Sequence, residues 1–185
     1  MHVDTPIIFY LDMIKMLNKY ITVLSALFLS TVVPQSMAGH AGGTTPYLRY
    51  GAPISLREAQ AVMAAAEREA IARNWPMAIA IVDSGGTVVM LHRIDHTQLG
   101  STRVAIGKAE TANNFKRPSK LLEDAVTAGG QGLRILSTPG ITPLEGGLPL
   151  IRDGEVIGAI GVSGMQSHQD AEIAKTGAAA LPAHR

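Results

Sequence analysis

The spacing of apolar residues changes several times along this chain, and each change marks an element. In ISLREAQAVMAAAEREAIARNW, residues 54–75, Leu56, Ala59, Met63, Ala66 and Ala70 recur at helical spacing. Ser55 and Glu58 stand as an S-x-x-E capping box with Ile54 in the staple position, and Pro76 marks the helix end. MAIAIVD is a continuous apolar run to Asp83, SGG a turn, and TVVMLHRI a run back, which predicts a hairpin. Alternation along the second strand sets Met90, His92 and Ile94 on one face and Val89, Leu91 and Arg93 on the other. A helix over Leu99–Asn113, a short helix over Leu121–Thr127, a loop at AGGQGL and a short strand at RILST follow.

LPLIR-DG-EVIGAIGVS is the clearest hairpin, because Asp153-Gly154 is a favoured type I′ pair between two apolar runs. SHQDAEIAKTGAAAL closes the chain as a helix with Ser167 as its N-cap. Strands joined as hairpins, without βαβ repeats, imply a central antiparallel sheet with helices packed on it, an α+β sandwich. Turn chemistry accounts for Gly154. It does not account for Gly158, Gly161 and Gly164, since glycine inside a strand marks a bulge or a close approach.

Upstream of this domain the pattern is different. From Met16, Lys19 supplies a positive n-region, Ile21–Val33 an apolar h-region, and Ser36-Met37-Ala38 a small-x-small cleavage site. The apolar run is shorter than the ~20 residues of a membrane span, so residues 1–38 read as a signal peptide, with no stable membrane anchor expected. Residues 1–15 have no n-region of their own and read as an upstream extension, which leaves Met1 and Met16 open as the start. A Gly/Pro/Thr-rich lead-in, 39–53, is expected to be mobile, and residues 54–185 form one domain. The expected location is periplasmic or secreted.

Composition narrows the chemistry. The chain holds no cysteine, which removes disulfides, thiolate metal sites and cysteine nucleophiles. A net charge of +1 leaves no electrostatic footprint for nucleic acid. Aromatics are 4% of residues, so the core must be built from small aliphatic side chains packed closely. GVSGM around Ser163 misses the G-x-S-x-G nucleophile elbow by one position, and GGQG is no dinucleotide fingerprint.

His92, His96 and His168 lie in the domain, and imidazole suits zinc, copper, nickel and iron, haem iron included. Histidines that simply meet water or a hydrogen-bond partner fit the same sequence. Lys108, Lys116, Arg117 and Lys120 form a basic cluster that reads either as a solvated face or as a carboxylate or phosphate clamp. Lys108 stands apart because Ala105, Ala109 and Ala112 surround it at helical spacing, so partial burial is expected.

REAQAVMAAAEREAIA, MAIAIVDSGGTVVMLHRID, KAETANNFKRPS and GGLPLIRDGEVIGAIGVSG, with Asp170 after them, resemble the GlcG/HbpS family of haem-binding and haem-degrading-type domains over nearly all of Ile54–Leu181. The resemblance implies a profilin-like α+β fold, assembly into a homo-oligomer and, in some members, haem binding. The family commonly reads R-M-D-G-A after the second strand. This chain reads RIDHTQ, with His96-Thr97 in place of the small pair. Under a haem reading, His96 first, then His92 or His168, is the axial ligand, and Arg93, Lys108 or Arg117 meets the propionates. Gly146-Gly147 and Gly161–Gly164 belong to the family pattern and point to close backbone approach at a pocket or subunit contact. Any haem degradation, storage or sensing would then rest on the iron. A second reading is a cofactor-free enzyme or binding module for a small carboxylate, with Asp95 or Glu145 as acid/base and Lys108 as the anion's partner. A third is an oligomeric accessory protein with no pocket chemistry.

Overall fold

The computed structural model describes residues 47–183; the signal-peptide and start-site expectations lie outside them. Their elements are β1 (Arg49–Tyr50), α1 (Leu56–Ala72), β2 (Ala78–Asp83), β3 (Val88–Arg93), α2 (Ser101–Phe115), α3 (Lys120–Thr127), a 3-10 helix (Gly130–Ser137), β4 (Gly147–Arg152), β5 (Glu155–Ser163) and α4 (Ser167–Ala179). Strands β4, β5, β2 and β3 pair antiparallel in that order, and β1 lies parallel to the first residues of β5. Among the described residues no helix is long and apolar enough to cross a membrane.

Small side chains explain the layering. On β2, Ile79 and Ile81 face a core shared with Val62, Met63 and Ala66 of α1 and Ile173 and Ala174 of α4. Ala78, Ala80 and Val82 face the other way, against Ala105, Ala109 and Ala112 of α2. The sheet is thus covered by α1 and α4 on one side and α2 on the other, the expected α+β, profilin-like sandwich. Gly161 serves this second layer, while Gly158 lies against Val82 O and Gly164 against Pro76 O. A Cβ at Gly161 would overlap the Ala105 carbonyl and sit 2.5 Å from the Ala109 amide nitrogen. The backbone of α2 therefore rests directly on β5.

The capping box forms as read: Glu58 Oε2 accepts from the Ser55 amide at 2.9 Å, and Ser55 Oγ accepts from the Glu58 amide. Helix α1 ends in a Schellman motif, with Trp75 N–H donating to Ala70 O and Asn74 N–H to Ile71 O, both at 2.9 Å. Asn74 occupies the left-handed position (φ 57°) that glycine usually takes there.

Four sequence expectations are corrected. RILST is no strand: it lies in and just past the 3-10 helix, because three glycines from Gly129 to Gly132 open a tight turn that leads into it. The helix expected from Leu99 begins at Ser101. Gln166, not Ser167, is the cap of α4, its amide donating to Gln169 Oε1 at 3.1 Å. The end of the lead-in joins the sheet, since Arg49 and Tyr50 pair with Glu155 and Val156. The face alternation of β3 is also modified by a bulge. Ile81 pairs with Met90 and Val82 with Val88, so Val89 is the extra residue, and both Val89 and Met90 pack on the α1/α4 core.

Candidate functional site

A cleft of about 500 Å³ opens where α1 ends and β3 turns towards α2. Its apolar walls are Ile71, Trp75, Pro76 and Ile94, and its rim carries Asn74, Asp95 and His96. Trp75 and Ile94 also pack against the main core, which makes the floor of the cleft part of the rigid domain. The volume falls within the ~300–1,000 Å³ of small-molecule sites.

Local backbone chemistry places His96 there. Ile94 to Thr97 form a four-residue turn, closed by Thr97 N–H to Ile94 O at 3.2 Å and reinforced by Thr97 Oγ1 at 2.6 Å. His96 is the third residue, with φ 67°. Turns of this kind favour glycine at that position. This chain holds an exposed imidazole in the left-handed conformation, which costs an L-residue roughly 1–2 kcal/mol. Strain of this kind collects at functional sites.

The other predicted residues disperse. His92 lies on β3 facing α1, its Nδ1 3.3 Å from Glu67 Oε2. His168 is exposed in the first turn of α4. Among the described residues no three His, Asp or Glu side chains gather as a metal site. Arg93 is exposed, and its position in β3 alternates with His92. Arg117 is exposed beyond the end of α2, where its Nε donates to Phe115 O at 3.0 Å. Glu145 is half-buried beside α3, its amide donating to Glu123 Oε2 at 3.0 Å. The basic cluster is likewise no clamp. Lys116 Nζ donates to Leu48 O at 2.7 Å over the Tyr50 ring, and Lys120 pairs with Asp124 one turn along α3. A second cleft, of about 780 Å³, lies by β1 and mixes Arg49 and Lys116 with Asp153 and Glu155.

Lys108 requires the firmest correction. It is 1% exposed, and its Nζ donates to Asp170 Oδ2 at 2.7 Å and to Val162 O at 3.0 Å. Burial pushes the Asp170 carboxyl up, and the Lys108 ammonium with the Met165 and Gly164 amides pulls it only part of the way back. An ammonium held inside the protein in this way is not offered to a carboxylate ligand or a propionate. Gly146 and Gly147 belong to the same arrangement. A Cβ at Gly146 (φ 125°) would lie 2.9 Å from Lys108 Nζ, and one at Gly147 would overlap the Lys108 carbonyl. These glycines admit the lysine; they do not line the cleft. Asp170 thereby ties α4 to α2 from opposite sides of the sheet.

Trp75 is the site residue that periodicity did not single out. The signal was available: it is the one tryptophan of the chain, and it stands between a helix end and Pro76.

Known proteins resemble this chain over the same region. An uncharacterised 15.0 kDa protein of Citrobacter freundii is 35% identical over 127 residues, 68% of this chain and 89% of that protein. Protein GlcG of Escherichia coli strain K12 is 39% identical over 110 residues, 60% of this chain and 81% of GlcG. Among solved structures, a PduOC:haem complex superposes with a TM-score of 0.65 at 32% identity, covering 72% of this chain and 99% of PduOC. The family model described as haem degrading protein HbpS-like matches residues 54–179, and the chain belongs to that HbpS-like family.

Proposed function

We propose that this protein binds haem in the cleft between Trp75 and His96, with His96 as the axial ligand. The observation that carries the reading is a histidine kept in a left-handed turn position on the rim of an apolar cleft floored by the chain's one tryptophan. Haem binding by a structural relative and the HbpS-like family support the ligand.

The residues present fit the group. Ile71, Trp75, Pro76 and Ile94 would take the ring, because a flat apolar face gains most from aromatic and aliphatic walls. His96 would offer a ring nitrogen, and the neighbouring Asp95 carboxylate would favour one tautomer. Bound iron would supply the redox chemistry for degradation, storage or sensing. The protein's share is to hold the ring, shield one face from water and present the imidazole.

The test is a haem titration followed by absorbance. The parent should show a saturating Soret shift and a low-spin spectrum. His96→Ala should lose that spectrum and bind at least ~10-fold more weakly, the low end of what losing a metal's supporting partner costs. His92→Ala and His168→Ala should behave like the parent. An unchanged spectrum in His96→Ala would remove the assignment.

Export and self-assembly complete the reading. The n-region, h-region and Ser36-Met37-Ala38 pattern support export, and mass spectrometry of the exported protein should find its first residue near Gly39. Leu121 on α3 and Leu133 and Leu136 on the adjoining 3-10 helix are each more than half exposed, which supports a homo-oligomer that covers them.

A further inference from the structure

We propose that the Trp75–His96 cleft selects metal-bearing tetrapyrroles over metal-free ones, an inference that rests on the haem reading of this cleft. The selection is electrostatic in origin. A porphyrin with two propionates is a dianion, and sites that hold it through those groups need Lys or Arg nearby. Among the described residues neither lines this cleft, and the one formal charge on its lining is the Asp95 carboxylate.

The guanidinium that lies over the Trp75 ring is already committed. Arg73 lies 4.8 Å over the Trp75 ring, and its Nε donates to Glu69 Oε1 at 2.6 Å while NH1 donates to Glu172. The cleft also adjoins the C-terminal end of α1, where the helix dipole is negative. A propionate turned inward would meet Asp95 and this helix end with no Lys or Arg on the cleft lining to offset them. The ring must therefore enter with its propionates outward, in water.

Two attractions remain: stacking on the Trp75 wall, which every porphyrin shares, and coordination by His96, which requires a metal with a free axial position. Ring contact alone does not discriminate. The metal–imidazole bond does, so an iron-free ring, cyclic or opened, loses the term that holds haem in place. The preference assigns His96 as the specificity-determining residue of the cleft and Trp75 as the wall common to all rings.

Trp75 also provides the readout. As the one tryptophan, its emission reports binding of either ring to the protein, and the His96 variant assigns that binding to this cleft. The full chain and His96→Gly are titrated with ferric protoporphyrin IX and with metal-free protoporphyrin IX, following quenching of Trp75. Ferric haem should quench the parent saturably, and the metal-free ring at least ~10-fold more weakly. In His96→Gly the two should converge on the weaker value. Equal, tight quenching of the parent by both rings would overturn the selectivity while leaving haem binding intact. Tight haem binding that is unchanged in His96→Gly would place haem elsewhere and overturn both.

Discussion

His96 and Lys108 are two polar side chains that cost the fold something, in opposite ways. His96 is strained in its backbone but free in its side chain. Glycine fits its φ of 67° without penalty, so His96→Gly should raise the melting temperature by a few degrees, the equivalent of about 1 kcal/mol. The same change should abolish the low-spin haem spectrum, and a calorimetric scan beside a haem titration would read both effects. Lys108 is relaxed and sealed. Its contacts with Asp170 and Val162 are made inside the protein, so Lys108→Met leaves a buried carboxylate unpaired and should cost about 3–5 kcal/mol in urea denaturation. Adding Asp170→Asn should recover part of that loss, because the amide oxygen still accepts from Met165 N–H while no charge remains to bury. A single substitution without measurable cost would contradict the clamp described here.

At the scale of elements, α1 is held at its start by chemistry and α2 along its length by the absence of side chains. The Ser55 amide and hydroxyl, with Arg152 beside them, hold the Glu58 carboxyl below its ordinary value. A carboxylate lowered in the folded state contributes stability that is complete above its unfolded pKa and fades as pH falls through the folded one. Glu58→Gln should therefore destabilise at neutral pH, by about 0.5–1 kcal/mol, and match the parent in strongly acidic solution. Denaturation curves across that range check the sign. For α2 the contact is backbone on backbone. Gly161→Ala would drive a methyl into the Ala105 carbonyl, and overpacking of this kind costs at least ~1–3 kcal/mol. Loss of soluble, folded protein is the expected outcome, with circular dichroism as the measurement.

Over the whole molecule, the sandwich leaves one region without a second layer. The 3-10 helix buries none of its residues, and α3 buries only Leu122. Leu121, Leu133 and Leu136 are 52%, 51% and 62% exposed, a cost in water that a second copy would remove. Leu133→Glu with Leu136→Glu should reduce the species seen by light scattering to a monomer. The far-ultraviolet spectrum should not change, because neither side chain belongs to the core clusters. A parent that is already monomeric at micromolar concentration would end this reading.

Local order along the chain was enough to determine most of the fold. The capping box, the Asp153-Gly154 hairpin and the apolar run of β2 up to Asp83 each depend on neighbours a few residues away, so their signals survive in one dimension. The RILST segment misled because an apolar run of that length suits a strand and a tight helix equally, and only the surrounding glycine geometry separates them. The candidate site was half legible. The chemistry of His96 could be read from its residue type and its departure from a family pattern. Its left-handed turn and its place on the cleft rim with Trp75, 21 residues earlier in the chain, required the folded backbone. The fate of Lys108 was decided by tertiary structure alone. Alanines at helical spacing announced burial, but Asp170 lies 62 residues away and meets it only because Gly146 and Gly147 leave room between two helices on opposite faces of the sheet. Whether a buried charge is a ligand's partner or the protein's own depends on what stands opposite it, and that is a property of packing at long range.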